Sequence, residues 1–155
     1  MSERLLVAVF ASPVAEVLLR WGRELGFRTA LVEPDGRSLD AEVTARGFAE
    51  LGADLAAGTA DVVVTDHHRD ELGELLRDAL AVPARWVGVM GNPRHEGPHV
   101  AALTALGVPP EEIARVHRPI GLDIGSRAPA EIAVSTLAGL LADRNGRSGG
   151  FAHGA

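Results

Sequence analysis

The sequence contains no cysteine. That excludes disulfides, thiolate metal sites and a cysteine nucleophile, and it leaves the redox compartment open, because absence fits both oxidising and reducing surroundings. No run of lysines or arginines occurs and the net charge is −6, so no nucleic acid is expected as a partner. No apolar run approaches the length of a membrane span, and the N-terminus has no charged region followed by a long apolar core. The expectations are no membrane association and a cytoplasmic location. Glycine is missing where a nucleotide-binding fold would need it, since the first one in the chain is Gly22. No internal repeat, Ser-His-Asp pattern or paired-carboxylate spacing stands out, so no catalytic residue is nominated.

What is present suits one well-buried core: 155 residues with 46% hydrophobic content are too few for two ordinary domains. Leu5–Phe10 is a continuous apolar run suited to a strand covered on both faces. Ser12 is placed to cap the following helix and Pro13 to open it, with Val14, Val17, Leu18, Trp21 and Leu25 on one face and Gly26 at its end. Arg28–Val32 is a second strand, completing a βαβ unit. Residues 41–55 suggest a helix interrupted by glycines. Asp61–Thr65 reads as a strand, Asp66 as a cap for the helix through Leu72, Leu75, Leu76 and Leu80, and Trp86–Met90 as a further strand. Pro98–Leu106 reads as a helix ended by Gly107, followed by a turn at Pro110–Ala114. A last helix enters at Pro129, with Ile132, Val134, Leu137, Leu140 and Leu141 as its apolar face.

The fold expected is α/β: a three-layer αβα, Rossmann-like, doubly wound parallel sheet of about five strands. It occupies residues 1–144, and 145–155 form a flexible glycine-rich tail. The first strand is expected at the centre, with the strands at Thr29 and Val63 on one side and those at Val87 and Val116 on the other.

Ligands of such sheets bind outside the carboxyl ends of the strands, which directs attention to the loops there. The first turn reads Ala11-Ser-Pro-Val-Ala15, without the glycines that let a backbone approach a pyrophosphate. Its helix N-terminus and the Ser12 hydroxyl could still meet an anion, or the turn could be capped for folding alone. Glu33 stands where a Rossmann acid would hold a ribose hydroxyl, with Arg37 nearby, or is an ordinary loop acid beside Asp35. If a dinucleotide binds, an acid there disfavours a 2′-phosphate. Thr65-Asp-His-His68 and Gly88, Gly91, Asn92 and Arg94 follow two further strands, the latter pairing flexible backbone with a cation suited to phosphate.

His95-Glu-Gly-Pro-His99 has the spacing of a zinc-hydrolase motif, but Pro98 opposes one helix through both histidines. No metal site is therefore assigned. Asp123 lies between Gly121 and Gly125 at a strand-to-helix junction and reads as a buried acid, facing a ligand hydroxyl or amine or bracing its own turn.

Pro119-Ile-Gly-Leu-Asp-Ile-Gly125, followed after three residues by Pro129-x-Glu-Ile-Ala-Val-Ser135, resembles the closing signature of the Rossmann domain of the XdhC/CoxI family. Trp86-Val-Gly-Val-Met-Gly-Asn-Pro-Arg94 and the L-x-x-L-G-V-P-x-E-x-I pattern over Leu103–Ile113 form a second matching block, so the resemblance covers roughly residues 61–144. It implies an accessory protein rather than an enzyme. Such a protein binds molybdenum cofactor (molybdopterin) or a related nucleotide and serves a molybdenum-containing hydroxylase, of the xanthine or carbon monoxide dehydrogenase type, as its client. The cofactor-binding residues it suggests are Ser12, Glu33, Thr65, Gly91, Asn92, Arg94, Asp123 and Gly125. The first turn departs from the family's glycine-rich form, and no second domain, such as full-length members carry, precedes the first strand. Any step that depends on that domain is expected to be supplied by another protein or to be absent. The competing readings are an NAD(P)-binding oxidoreductase and a degenerate Rossmann interaction module; a homodimer stays open.

Overall fold

The computed structural model describes residues 4–91, 97–125 and 127–151. Its core is a five-stranded, all-parallel sheet with strand order β3-β2-β1-β4-β5. The strands are β1 (Arg4–Val9), β2 (Phe27–Val32), β3 (Val43–Ala45), β4 (Ala60–Val64) and β5 (Ala84–Val89). The helices are α1 (Pro13–Glu24), α2 (Gly52–Leu55), α3 (Leu72–Ala81), α4 (Pro98–Ala105), α5 (Pro110–Ile113) and α6 (Pro129–Arg144), with a 3-10 turn at Phe48–Leu51.

Alternating side chains of β1 feed two apolar layers, which is why this strand is apolar throughout. Leu6 and Ala8 pack with Leu18 and Leu19 of α1 and Leu137 and Leu140 of α6. Leu5, Val7 and Val9 pack on the other face with Phe48, Leu51, Leu55 and the α3 leucines. Gly22 lets α1 lie close to the sheet, because a methyl group there would stand 2.5 Å from Leu6 Cδ2.

The expected strand order needs a correction: the strand at Val63 lies on the opposite side of β1 from the strand at Thr29. The β1-α1-β2 crossover runs over one face. The return from β3 to β4 runs through Phe48, Leu51 and Leu55, which belong to the layer on the other face. A right-handed connection over the opposite face must add its strand in the opposite direction. The segment 41–55 is accordingly not one helix but β3, the 3-10 turn and α2. The strand expected at Val116 is reduced to one bridge, with His117 donating to the Val87 carbonyl and accepting from the Val89 N–H, both at 3.0 Å.

Two further expectations fail locally. α3 starts at Leu72, and the Asp66 carboxylate instead accepts from the His68 N–H at 2.9 Å, closing a turn rather than capping the helix. Val134 on α6 is exposed, while Ser135 and Thr136 are buried with Leu137. Their hydroxyls return to the Ile132 carbonyl at 3.1 and 2.9 Å, which lets them sit inside. Pro98 does open α4, and His99 is buried within that helix.

At the amino ends of the strands, the fully buried Asp61 carboxylate takes Arg85 at 2.6 Å and Arg144 at 2.8 Å, and Arg85 reaches Asp143 at 2.6 Å. This cluster ties the last turn of α6 to the start of β4. Beyond the helix, the Arg147 N–H donates to the Ala142 carbonyl at 2.8 Å and Gly149 lies against Leu122 and Ala142.

Candidate functional site

β2 and β4 leave β1 in opposite directions, so the order reverses between β1 and β4, and the site opens above that point. The ladder continues one bond past each strand: Phe10 N–H to Val32 O at 2.9 Å, Thr65 N–H to Val9 O at 3.1 Å and Met90 N–H to Val64 O at 2.9 Å. The loops therefore start in register with the sheet. A crevice of about 730 Å³ lies over the ends of β4 and β5. Its apolar wall includes Val14, Met90, Ile120 and Ile132, and its polar groups include Thr65, Asp66, His67, His68, Asp123 and Arg127.

Thr65 holds the first turn against this crevice. Its Oγ1 lies 3.0 Å from the carbonyl oxygens of Val9 and Phe10 and 3.0 Å from Ser12 Oγ. A carbonyl can only accept, so the threonine proton goes to one of them and Ser12 is left to donate to Thr65. Ser12 Oγ also accepts from the Ala15 N–H at 3.0 Å, acting as the expected cap of α1. Thr65 thus lines the crevice with Ser12 hydrogen-bonded to it, and Val14 brings the first turn of α1 into its lining.

The opposite wall is the segment after His117, across a cis Arg118–Pro119 peptide. Gly121 has φ +88°, and a methyl group there would lie 2.6 Å from Ser135 Oγ and 3.1 Å from the Thr136 nitrogen. Only glycine admits that approach of loop to helix. Gly125 is also left-handed, at φ +71°. Between them, Asp123 lines the crevice as an exposed carboxylate, which corrects its reading as a buried acid. Two left-handed residues make this stretch a loop.

Sequence reasoning missed Arg118. A methyl group on Gly91 would overlap its guanidinium, and one on Gly97 would overlap the His99 ring and approach Arg118 Cδ at 2.9 Å. Arg118 therefore lies along the glycines that flank the β5–α4 loop. Burial, the neighbouring His68 and Arg118 push His67 below its ordinary value of 6.5, against the opposing effects of a Met90 backbone contact and Asp66. Burial and then Arg118 lower His99 as well. Both rings are held toward the neutral form, and the buried His99 Nδ1 has no hydrogen-bond partner among the described residues.

Glu33 sits apart from this crevice, at the end of β2. Its carboxylate is fully buried and accepts from the Ala11 N–H at 2.9 Å, the Asp35 N–H at 3.1 Å and both terminal nitrogens of Arg69 at 2.8 Å. Arg37 approaches it at 3.4 Å from the surface. Burial alone would raise this carboxyl, but Arg69 and the two N–H donors outweigh it and hold it at about 2. The Arg69 guanidinium also lies 4.3 Å from the centre of the Phe10 ring. Phe10 is buried and adopts φ +76°, a conformation costly for any residue with a Cβ.

The structure thus brings Thr65, Gly91, Asp123 and Gly125 to one crevice, joins Ser12 to it through Thr65, and separates Glu33 from it. Asn92, Arg94 and His95 lie outside the described residues. Among the described residues there is no group of three metal-ligating side chains, and no helix is long and apolar enough to cross a membrane.

Comparison with known proteins places the chain. Escherichia coli K12 YqeB, an uncharacterized protein, is 29% identical over 155 aligned residues, covering 94% of this chain and 28% of YqeB. A crystal structure of a xanthine dehydrogenase from Bacillus halodurans superposes with a TM-score of 0.68 at 24% identity, over 94% of this chain and 44% of that one. The chain therefore spans less than half the length of either protein, and a structural likeness at that identity speaks to the fold alone. The XdhC Rossmann domain model matches residues 6–140, from β1 into α6 and across every loop of the crevice. On that match, and in agreement with the signature at Pro119–Ser135, the chain belongs to the XdhC family as its Rossmann domain.

Proposed function

We propose that this domain serves the maturation of molybdenum hydroxylases of the xanthine or carbon monoxide dehydrogenase type, and that its crevice receives molybdenum cofactor or the nucleotide form of it. The observation that carries the proposal is a crevice of about 730 Å³ at the sheet's switch point in an XdhC Rossmann domain. The residues fit such a group chemically. Met90, Ile120 and Ile132 offer apolar surface to a flat heterocycle, Asp123 can accept from ring N–H groups, and Arg127 can pair with phosphate. His67, held toward its neutral form, can donate or accept at the same wall, beside His68. The cofactor itself would supply the redox chemistry of the client enzyme; these residues bind, orient and release it. Among the described residues no member of the crevice is arranged as a nucleophile with its base.

Mass spectrometry of small molecules released from protein purified from its native cells, followed by titration of the purified cofactor, tests this reading. Arg127→Ala is expected to weaken binding about 10- to 150-fold by removing one charge-assisted contact. Asp123→Asn is expected to change selectivity between pterin and nucleotide forms while folding stays intact, since the side chain is exposed. Arg94→Ala belongs in the same series as the cation nominated from sequence. Absence of any bound cofactor, with no binding by the wild type, would leave the interaction-module reading in front.

A further inference from the structure

The Glu33–Arg69 pair occupies the place where a dinucleotide-binding fold needs an open acid. In such folds the carboxylate at the end of the second strand receives a ribose hydroxyl, and the turn after the first strand is glycine so that pyrophosphate can come close. Here Glu33 follows β2 directly, but its oxygens already accept from Ala11, Asp35 and Arg69. The position before Ala11 is Phe10, left-handed as a glycine would be, yet carrying a buried ring under the Arg69 guanidinium. Arg69 also binds Glu71 at 3.0 Å and keeps only 17% of its side chain exposed. A ribose hydroxyl would have to displace a bidentate ion pair to reach Glu33.

We propose that Arg69 is a specificity-determining residue: a built-in occupant of the ribose position that closes this half of the switch point to adenine dinucleotides. Ligands are thereby confined to the crevice over β4 and β5, which suits a compact phosphate-bearing heterocycle rather than NAD. This deepens the proposed function, on whose crevice it rests, but the two fail separately. Loss of molybdenum cofactor binding would sink that reading without touching this one, because the probe here is NAD and the reporter is Glu33.

The test is an amide NMR titration of the wild type with NAD and with ADP-ribose, read at Ala11 and Asp35, whose N–H groups both donate to Glu33. No displacement of either signal at millimolar ligand is expected. The second arm measures NAD affinity by calorimetry for Arg69→Ala, with folding followed by circular dichroism. Binding should tighten at least about tenfold once Glu33 is uncovered, and adding Glu33→Gln should abolish the gain. Ligand-dependent shifts at Ala11 and Asp35 in the wild type overturn the proposal. So does a folded Arg69→Ala protein that binds NAD no better than the wild type. If Arg69→Ala does not fold, the wild-type titration still decides.

Discussion

Glu33 is the group through which acid should weaken this fold, and Glu33→Gln isolates its share. The folded carboxyl loses its proton at about 2, whereas an ordinary glutamate does so at 4.5. At about 1.4 kcal/mol per pH unit, that interval corresponds to about 3 kcal/mol of stability. The sign follows from which state holds the proton more tightly. The unfolded chain does, so the contribution is complete above 4.5, declines as the pH falls, and is gone near 2. Glu33→Gln cannot form the ion pair at any pH and leaves the Arg69 guanidinium without its main partner, so at pH 7 the variant should be less stable by about 2–4 kcal/mol. Urea unfolding of both proteins across pH 7 to 3 supplies the assay, and the difference between them cancels the other carboxylates. The gap should narrow as the pH falls below the ordinary glutamate range. A gap that stays constant to pH 3 would refute the assignment of the shift to Glu33, and no gap at pH 7 would refute the energetic role of the pair.

Ala128 is the N-cap of α6 and has no side chain able to accept from the first turn, so Ala128→Thr should raise stability by about 1 kcal/mol, read as a higher urea midpoint. Proton NMR titration of the ring hydrogens should place the midpoints of His67 and His99 below 6.5; a His99 midpoint at or above that value would mean that its ring is not held between buried surroundings and Arg118. Asp61→Asn should cost about 2–4 kcal/mol, because Arg85 and Arg144 lose the carboxylate they share, while ligand binding at the far end of the sheet is unaffected. A parallel fall in cofactor affinity would show that the two ends of the sheet are coupled.

The strands at Leu5, Thr29, Val63 and Val87 were legible because each is a short apolar run bounded by polar or turn residues. Their order was not, since the side on which β4 joins depends on which face carries the return crossover. That information sits in residues 41–55, where glycines hide the periodicity. Part of the crevice was readable: of the eight residues nominated, Thr65, Gly91, Asp123 and Gly125 line it, whereas Ser12 and Glu33 do not. Glu33 was placed correctly at the end of its strand, but its partner Arg69 is 36 residues away and no local spacing announces such a pair. Arg118 was missed for a related reason. Its position beside Gly91 and Gly97 depends on where the segment after His117 crosses these two glycines, which no periodicity encodes.

The dependence of the crevice on α6 bears on the order in which the chain is made. Ile132 and Ser135 of that helix line the crevice, Gly139 packs on Gly121, and Arg144 completes the Asp61 cluster at the far end. A ribosome-bound chain that has not yet exposed residues 129–144 has the sheet's strands but leaves the α1 layer open and the loop at Gly121 without its support. Translation delivers segments from the N-terminus at roughly 5–20 residues per second, so this wall of the crevice is assembled last. The crevice is therefore complete only once the whole domain has been made, and a chain cut short before its final helix should keep the strands while lacking this wall.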